Sequence, residues 1–222
     1  MVRLAVFDCD GTLLDSQVNI IRAMGHSFAR HGLPPPDDHA TRRIVGLSLV
    51  EAMRALLPEG DAAMHHRLAA DYKHAFQRLR ADGRLDPEPL YPGVAAGLAD
   101  LEARGWKLGV ATGKSDRGLA LALAHHGIAG HFVTLQTADR HPSKPHPAML
   151  RAALAEAEAE PARAAIIGDT VFDMAMGVAA GVCAIGVDWG YHDAHELLGA
   201  GAVTVAARFD EVLAALEQVS PA

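Results

Sequence analysis

The chain has 222 residues, half of them hydrophobic and 21% charged, which is enough apolar side chain to bury a substantial core and excludes global disorder. Its 20 Lys+Arg against 27 Asp+Glu leave a net charge of −7, so nucleic acid is excluded as the main partner and any phosphate recognition is local. At about 150 residues per domain the length fits one medium domain with an insertion, and the 2 cysteines, Cys9 and Cys183, suit a reducing compartment rather than a disulfide framework.

The first element is the apolar run Arg3 to Phe7, which ends in the polar turn Asp8-Cys9-Asp10-Gly11-Thr12, as a buried parallel strand does. This run meets Asp8 too soon to be a signal-peptide core, and no apolar stretch approaches the length of a membrane span. A cytoplasmic protein with no membrane partner is expected. From about Ser16 to Leu90 there is helical patterning but no strand, broken by Gly32-Leu33-Pro34-Pro35-Pro36 and Pro58-Glu59-Gly60. The exit from this region, Asp86 to Gly93, is rich in proline and reads as a hinge-like linker. Residues 16–90 are therefore assigned to an inserted helical cap, and residues 1–15 with 91–222 to the core.

Beyond the cap the rhythm changes. Leu108 to Ala111 precedes Thr112-Gly113-Lys114, His131 to Leu135 follows a helical segment, and Ala164 to Ile167 precedes Gly168-Asp169-Thr170. Val182 to Gly186 and Ala202 to Val205 are two weaker strands. Helical spacing marks Arg117 to His126, Pro147 to Glu158 and Phe209 to Gln218. Alternating strands and helices predict an α/β fold, a doubly wound parallel sheet of Rossmann-like type.

In such a sheet the strand ends converge on one crevice, so Asp8, Thr112, Lys144 and Asp169 are expected to meet. Strand alternation puts Asp8 and Asp10 on one side and Cys9 on the other, in the packing. No arginine neighbours these two carboxylates, so a cation or a shared proton must relieve them, and a divalent metal does so most simply. Asp169 and Asp173, four residues apart at a helix start, add further oxygen. An oxygen-ligand set with water suits Mg²⁺ better than zinc. The 13 histidines include the neighbours His65-His66 and His125-His126, but adjacent residues on a helix diverge too far to chelate together, and these are read as surface or packing residues. Lys114 is read as a solvated loop lysine and left outside the site.

Four segments in order, Asp8-Cys9-Asp10-Gly11-Thr12-Leu13-Leu14-Asp15-Ser16, Ala111-Thr112-Gly113-Lys114, Ser143-Lys144-Pro145-His146-Pro147 and Gly168-Asp169-Thr170-Val171-Phe172-Asp173-Met174, resemble the motifs of the haloacid dehalogenase-like hydrolases. The helical insertion after the first motif is similar to the cap of the phosphoglycolate phosphatase-like and phosphomutase-like subgroup. The resemblance implies that Asp8 is the nucleophile forming an aspartyl phosphate and that Asp10 is the acid and base, its backbone carbonyl also binding Mg²⁺. It implies that Thr112, Gly113 and Lys144 hold the phosphoryl group, that Asp8 and Asp169 ligate the metal, and that Asp173 helps through water or by orienting Lys144 or a loop.

In the cap, Thr41 to Leu49 is similar to the family's substrate-facing loop. Gly46 gives it flexibility, and Arg43 is a candidate reader of a second anionic group such as a carboxylate, with an exposed helix residue as the alternative. The implied function is a Mg²⁺-dependent phosphatase for a small phosphorylated metabolite, with 2-phosphoglycolate as leading substrate. Pyrophosphatase, nucleotidase and sugar phosphate phosphatase remain open. Dehalogenase chemistry is disfavoured by Asp10, a mutase by Leu49, which stands where the mutases of this subgroup carry arginine, and a non-catalytic binding module by the presence of Asp8, Asp10 and Asp169. The oligomeric state is not legible in the sequence.

Overall fold

The computed structural model describes residues 2–219. Six strands, β1 (Arg3–Phe7), β2 (Trp106–Thr112), β3 (Phe132–Thr137), β4 (Ala164–Gly168), β5 (Cys183–Val187) and β6 (Thr204–Ala206), form one parallel sheet in the order β3-β2-β1-β4-β5-β6. The sheet and helix layers are those of the predicted doubly wound α/β fold.

Both faces of the sheet are covered, so its central strands run apolar from Leu4 to Phe7 and from Ala164 to Gly168 instead of alternating with polar residues. In β1, Ala5 and Phe7 join the core on one face, with helices α5 (Val94–Ala103), α6 (Asp116–His125) and α10 (Phe209–Val219). Leu4 and Val6 join the core on the other, with α7 (Ala148–Ala157), α8 (Val171–Ala180) and α9 (Ala194–Gly199). Phe7 is fully buried and stacks on Phe209 with centroids 6.0 Å apart; burying a ring of this size stabilises by about 1.5–3 kcal/mol. Cys9 packs in the same core.

Between β1 and α5 the chain forms four helices, α1 (Gln17–Arg30), α2 (Asp38–Arg43), α3 (Leu49–Leu56) and α4 (Ala62–Ala81), with their own core of Met24, Phe28, Met53, Leu68 and Ala69. The two strands of chain that lead into and out of this helical unit lie side by side. Leu14 bridges Leu90, Asp15 N–H donates to the Pro89 carbonyl at 2.9 Å, and Tyr91 N–H donates to the Leu13 carbonyl at 3.0 Å. Among the described residues no helix is long and apolar enough to cross a membrane.

The connection through the cap and α5 carries the chain from β1 to β2 on one side, and that through α7 returns it to β4 on the other. The crevice beyond the ends of β1 and β4 is thus the topological switch point, where ligands bind in open α/β sheets.

Candidate active site

Asp8 is the first residue after β1, tied to β4 by its N–H to the Ile167 carbonyl at 2.9 Å. Its Oδ1 accepts the Cys9 N–H at 2.6 Å and the Lys144 ammonium at 2.9 Å. Its Oδ2 is buried with no hydrogen-bond partner. Lys144, also fully buried, donates to Asp173 Oδ1 at 2.6 Å. The other oxygen of Asp173 closes a capping box at the start of α8, accepting from the Thr170 hydroxyl at 2.6 Å and the Thr170 N–H at 3.2 Å. Asp173 therefore fixes Lys144 against Asp8 while capping the helix that follows Asp169. Of the arrangements expected for Asp173, the contact present is the one with Lys144.

Asp169 follows β4 and accepts the Thr12 hydroxyl on Oδ1 at 2.7 Å and the Tyr191 N–H on Oδ2 at 3.0 Å. Gly11, at φ +82°, and Gly190 press their backbones against this carboxylate, and a Cβ at either position would occupy its space. Burial, with Asp8 and Asp173 nearby, drives the Asp169 carboxyl well above the usual carboxylate range. Burial likewise pushes Asp8 up, to about 7, against the pull of Lys144.

These values describe a pocket with too much negative charge. One oxygen each of Asp8, Asp169 and Asp173 lie within 4.8 Å of one another, and Lys144 pairs with two of these buried carboxylates, Asp8 and Asp173. A divalent cation would cancel that imbalance, and an all-oxygen donor set fits a hard ion such as Mg²⁺. Asp169 and Asp173 each have both oxygens engaged by protein donors, so among the three carboxylates Asp8 Oδ2 is the oxygen without one.

The sequence expectation that Asp8 and Asp10 burden each other without a protein cation does not describe this site. Lys114 Nζ lies 2.8 Å from Asp10 Oδ1, and the Ser16 hydroxyl donates to the same oxygen. Lys114 is a half-buried ion-pair partner and not a solvated lysine. Its charge is held firmly: burial opposes it, but Asp10, Cys9 and Glu88, with the hydrogen bond to Asp10, together push its pKa up. The signal was its position two residues past Thr112 at a strand end, where the backbone turns side chains into the crevice. Thr112 closes β2, and its Oγ accepts the Lys114 N–H at 3.2 Å.

The cap lies directly on this machinery. The Gly46 and Leu47 carbonyls come so close to Gly113 that a Cβ there would lie 2.8 and 2.6 Å from their oxygens. A Cβ on Gly46, at φ +97°, would sit 3.9 Å from Asp8 Oδ2. Ser48 N–H donates to Ser143 Oγ at 2.8 Å, beside Lys144. Arg43 is not brought to the cavity. Both its terminal nitrogens engage Glu196 of α9, and its carbonyl accepts from His192 Nε2 at 3.1 Å. Glu196 and His192 carried no motif that would have revealed them. A cavity of about 440 Å³ opens between cap and core, with Asp10, Gly46, Gly113 and Lys114 in its lining.

Comparison with known proteins agrees with this arrangement. Residues 5–187 match the family described as haloacid dehalogenase-like hydrolase. The probable phosphatase IndB of Dickeya dadantii (strain 3937) is 34% identical over 221 residues, covering 97% of this chain and 94% of that protein. A phosphoglycolate phosphatase of Rhodospirillum rubrum is 34% identical over 200 residues, covering 86% of this chain and 81% of its own length. The crystal structure of a predicted phosphatase from Clostridium acetobutylicum shares the fold, with a TM-score of 0.88 at 24% identity over 98% of this chain and 99% of that one. The chain belongs to the haloacid dehalogenase-like hydrolases, as an enzyme of the phosphatase type.

Proposed function

We propose that this protein is a Mg²⁺-dependent phosphatase that transfers the phosphoryl group of a small phosphomonoester to Asp8 and then to water. The observation that carries this reading is the Asp8 carboxylate, held at the switch point by two donors on Oδ1 while Oδ2 carries none. Attack from Oδ2 displaces no protein hydrogen bond.

Asp8 forms a bond to phosphorus as the bond to the alcohol oxygen breaks, and Asp10 gives that oxygen its proton. Asp10 then takes a proton from water, whose oxygen attacks the aspartyl phosphate and releases inorganic phosphate, restoring Asp8. Lys144 neutralises the nucleophile at rest and the charge that develops during transfer, in a buried site where such charge is worth most. Thr112 and the Gly113 amide are the proposed hydrogen-bond donors to the phosphoryl oxygens. Asp8 and Asp169, with the Asp10 carbonyl that the family resemblance implies, would hold Mg²⁺, which when bound supplies positive charge to the transferring group.

2-Phosphoglycolate, the substrate in the name of the Rhodospirillum relative, is the reference compound. Leu49 lines the cavity with an aliphatic side chain, which favours hydrolysis over a mutase reading that calls for arginine there. The experiment is phosphate release from a panel of phosphomonoesters and pyrophosphate, with Mg²⁺ or excess chelator, for the native chain and Asp8→Asn. Release abolished by both chelator and substitution supports the reading, and release that survives Asp8→Asn refutes it.

A further inference from the structure

The cavity above the site has a floor and a wall of different chemistry. Asp10, Gly113 and Lys114 form the end that faces the reacting group. The wall is mostly apolar, with Ile20 and Met24 from α1, Val45 and Leu49 from the loop and helix that follow α2, and Tyr72 and Phe76 from α4, while Lys73, Arg80, Glu88 and Arg117 add charge to the lining. The two rings lie one helical turn apart, with centroids at 6.0 Å and planes tilted by 41°. They present an aromatic face to the space where the alcohol part of a phosphomonoester must lie when its phosphorus is at Asp8.

We infer that the preferred substrate is the phosphomonoester of an alcohol carrying a flat, largely apolar ring, which fills this cavity against Tyr72 and Phe76. The inference rests on the phosphatase reading and narrows its substrate class. Size is the first argument. A volume of about 440 Å³ falls within the range of roughly 300–1,000 Å³ that accommodates ligands much larger than a two-carbon acid. A glycolyl group would leave most of it to water against apolar walls.

Charge is the second argument. A carboxylate against the apolar part of this wall loses hydration, which is costly unless it reaches Arg80 or Arg117, the lining cations without an acidic partner among the described residues. Lys114 is committed to Asp10 at 2.8 Å, Arg43 to Glu196 at 2.6 Å, and Lys73 to Asp139 at 3.5 Å. The Arg80 guanidinium lies over the Phe76 ring at 5.7 Å from its centroid, and Arg117 is exposed on the rim. An aromatic wall instead favours a ring, through apolar burial and offset or edge-to-face contact.

The test compares kcat/KM with Mg²⁺ for benzyl phosphate, ethyl phosphate and 2-phosphoglycolate. Their alcohols have similar acidity, so leaving-group reactivity does not decide the order. Benzyl phosphate is expected to exceed the other two by about tenfold or more, the scale on which an apolar pocket discriminates. Phe76→Ala is expected to lower benzyl phosphate turnover more than ethyl phosphate turnover. Equal rates, or a preference for 2-phosphoglycolate, overturn the inference and leave the phosphatase reading standing. No phosphate from these three or from p-nitrophenyl phosphate overturns that reading, and the inference falls with it.

Discussion

Arg43 of the cap closes both terminal guanidinium nitrogens on the Glu196 carboxylate of the core, each at 2.6 Å. This bidentate pair latches the cap over Asp8, because the loop that begins one residue later carries Gly46 to the site. Glu196→Ala is expected to leave the melting temperature of the whole chain nearly unchanged, since the pair is partly solvated, while favouring the open cap. Hydrogen exchange of the linker Asp86 to Leu90 measures this. A severalfold faster exchange, with KM and kcat changing together, is the expected result.

Asp8→Asn and Lys144→Ala both remove one half of a buried pair, yet opposite stability effects are expected. The Asp8 carboxyl is pushed up to about 7 chiefly by burial, so its ionised form is a cost to the fold in the absence of metal. Asp8→Asn should melt in chelator no lower than the native chain, while activity falls by at least about 10⁴-fold, as for loss of a nucleophile. Lys144→Ala leaves Asp8 and Asp173 buried without their cation. A loss of about 3–5 kcal/mol is expected in denaturant unfolding, the scale for breaking a buried pair.

Metal binding should stabilise the chain more strongly at higher pH. A carboxyl whose pKa rises from 3.8 to about 7 on folding keeps a proton in the folded state that the unfolded state has lost, so without metal its contribution to stability declines as pH rises through that window. Mg²⁺ competes with that proton. Thermal melts at pH 5.5 and 8, with Mg²⁺ and with chelator, should show the larger Mg²⁺-induced shift at pH 8, and Asp169→Asn should remove most of it. An equal shift at both pH values would count against Asp8 as a ligand.

Lys114→Met tests the ion pair that the sequence did not reveal. The Asp10 carboxylate would retain the Ser16 hydroxyl but lose the ammonium 2.8 Å from Oδ1. If Lys114 positions the acid and base, kcat should fall by about 10²-fold, the lower range for proton-transfer catalysis, with KM changing less. Lys114→Arg should recover part of the loss. Single-turnover kinetics separating aspartyl-phosphate formation from its hydrolysis would show both steps slowed, since Asp10 serves in each.

The layered fold was legible because a parallel sheet covered on both faces writes itself as short apolar runs, each ending in a polar turn. Arg3 to Phe7 and Ala164 to Ile167 carry that signal, and Asp8 and Asp169 follow them directly. The positions of Asp8 and Asp169 at strand ends were therefore readable, and between Ser16 and Leu90, where the sequence carries no strand signal, the chain forms α1 to α4. What the sequence could not give was which distant side chains answer one another. Lys114 and Arg43 looked alike as basic residues near glycine, one read as solvated and the other as a reader of substrate. Packing of the cap on the core decided otherwise: it turned Lys114 inward to Asp10 and tied Arg43 to Glu196, 153 residues away. An ion pair depends on the distance between two charges in space, and charge pattern along a chain records none of that until the fold has set it.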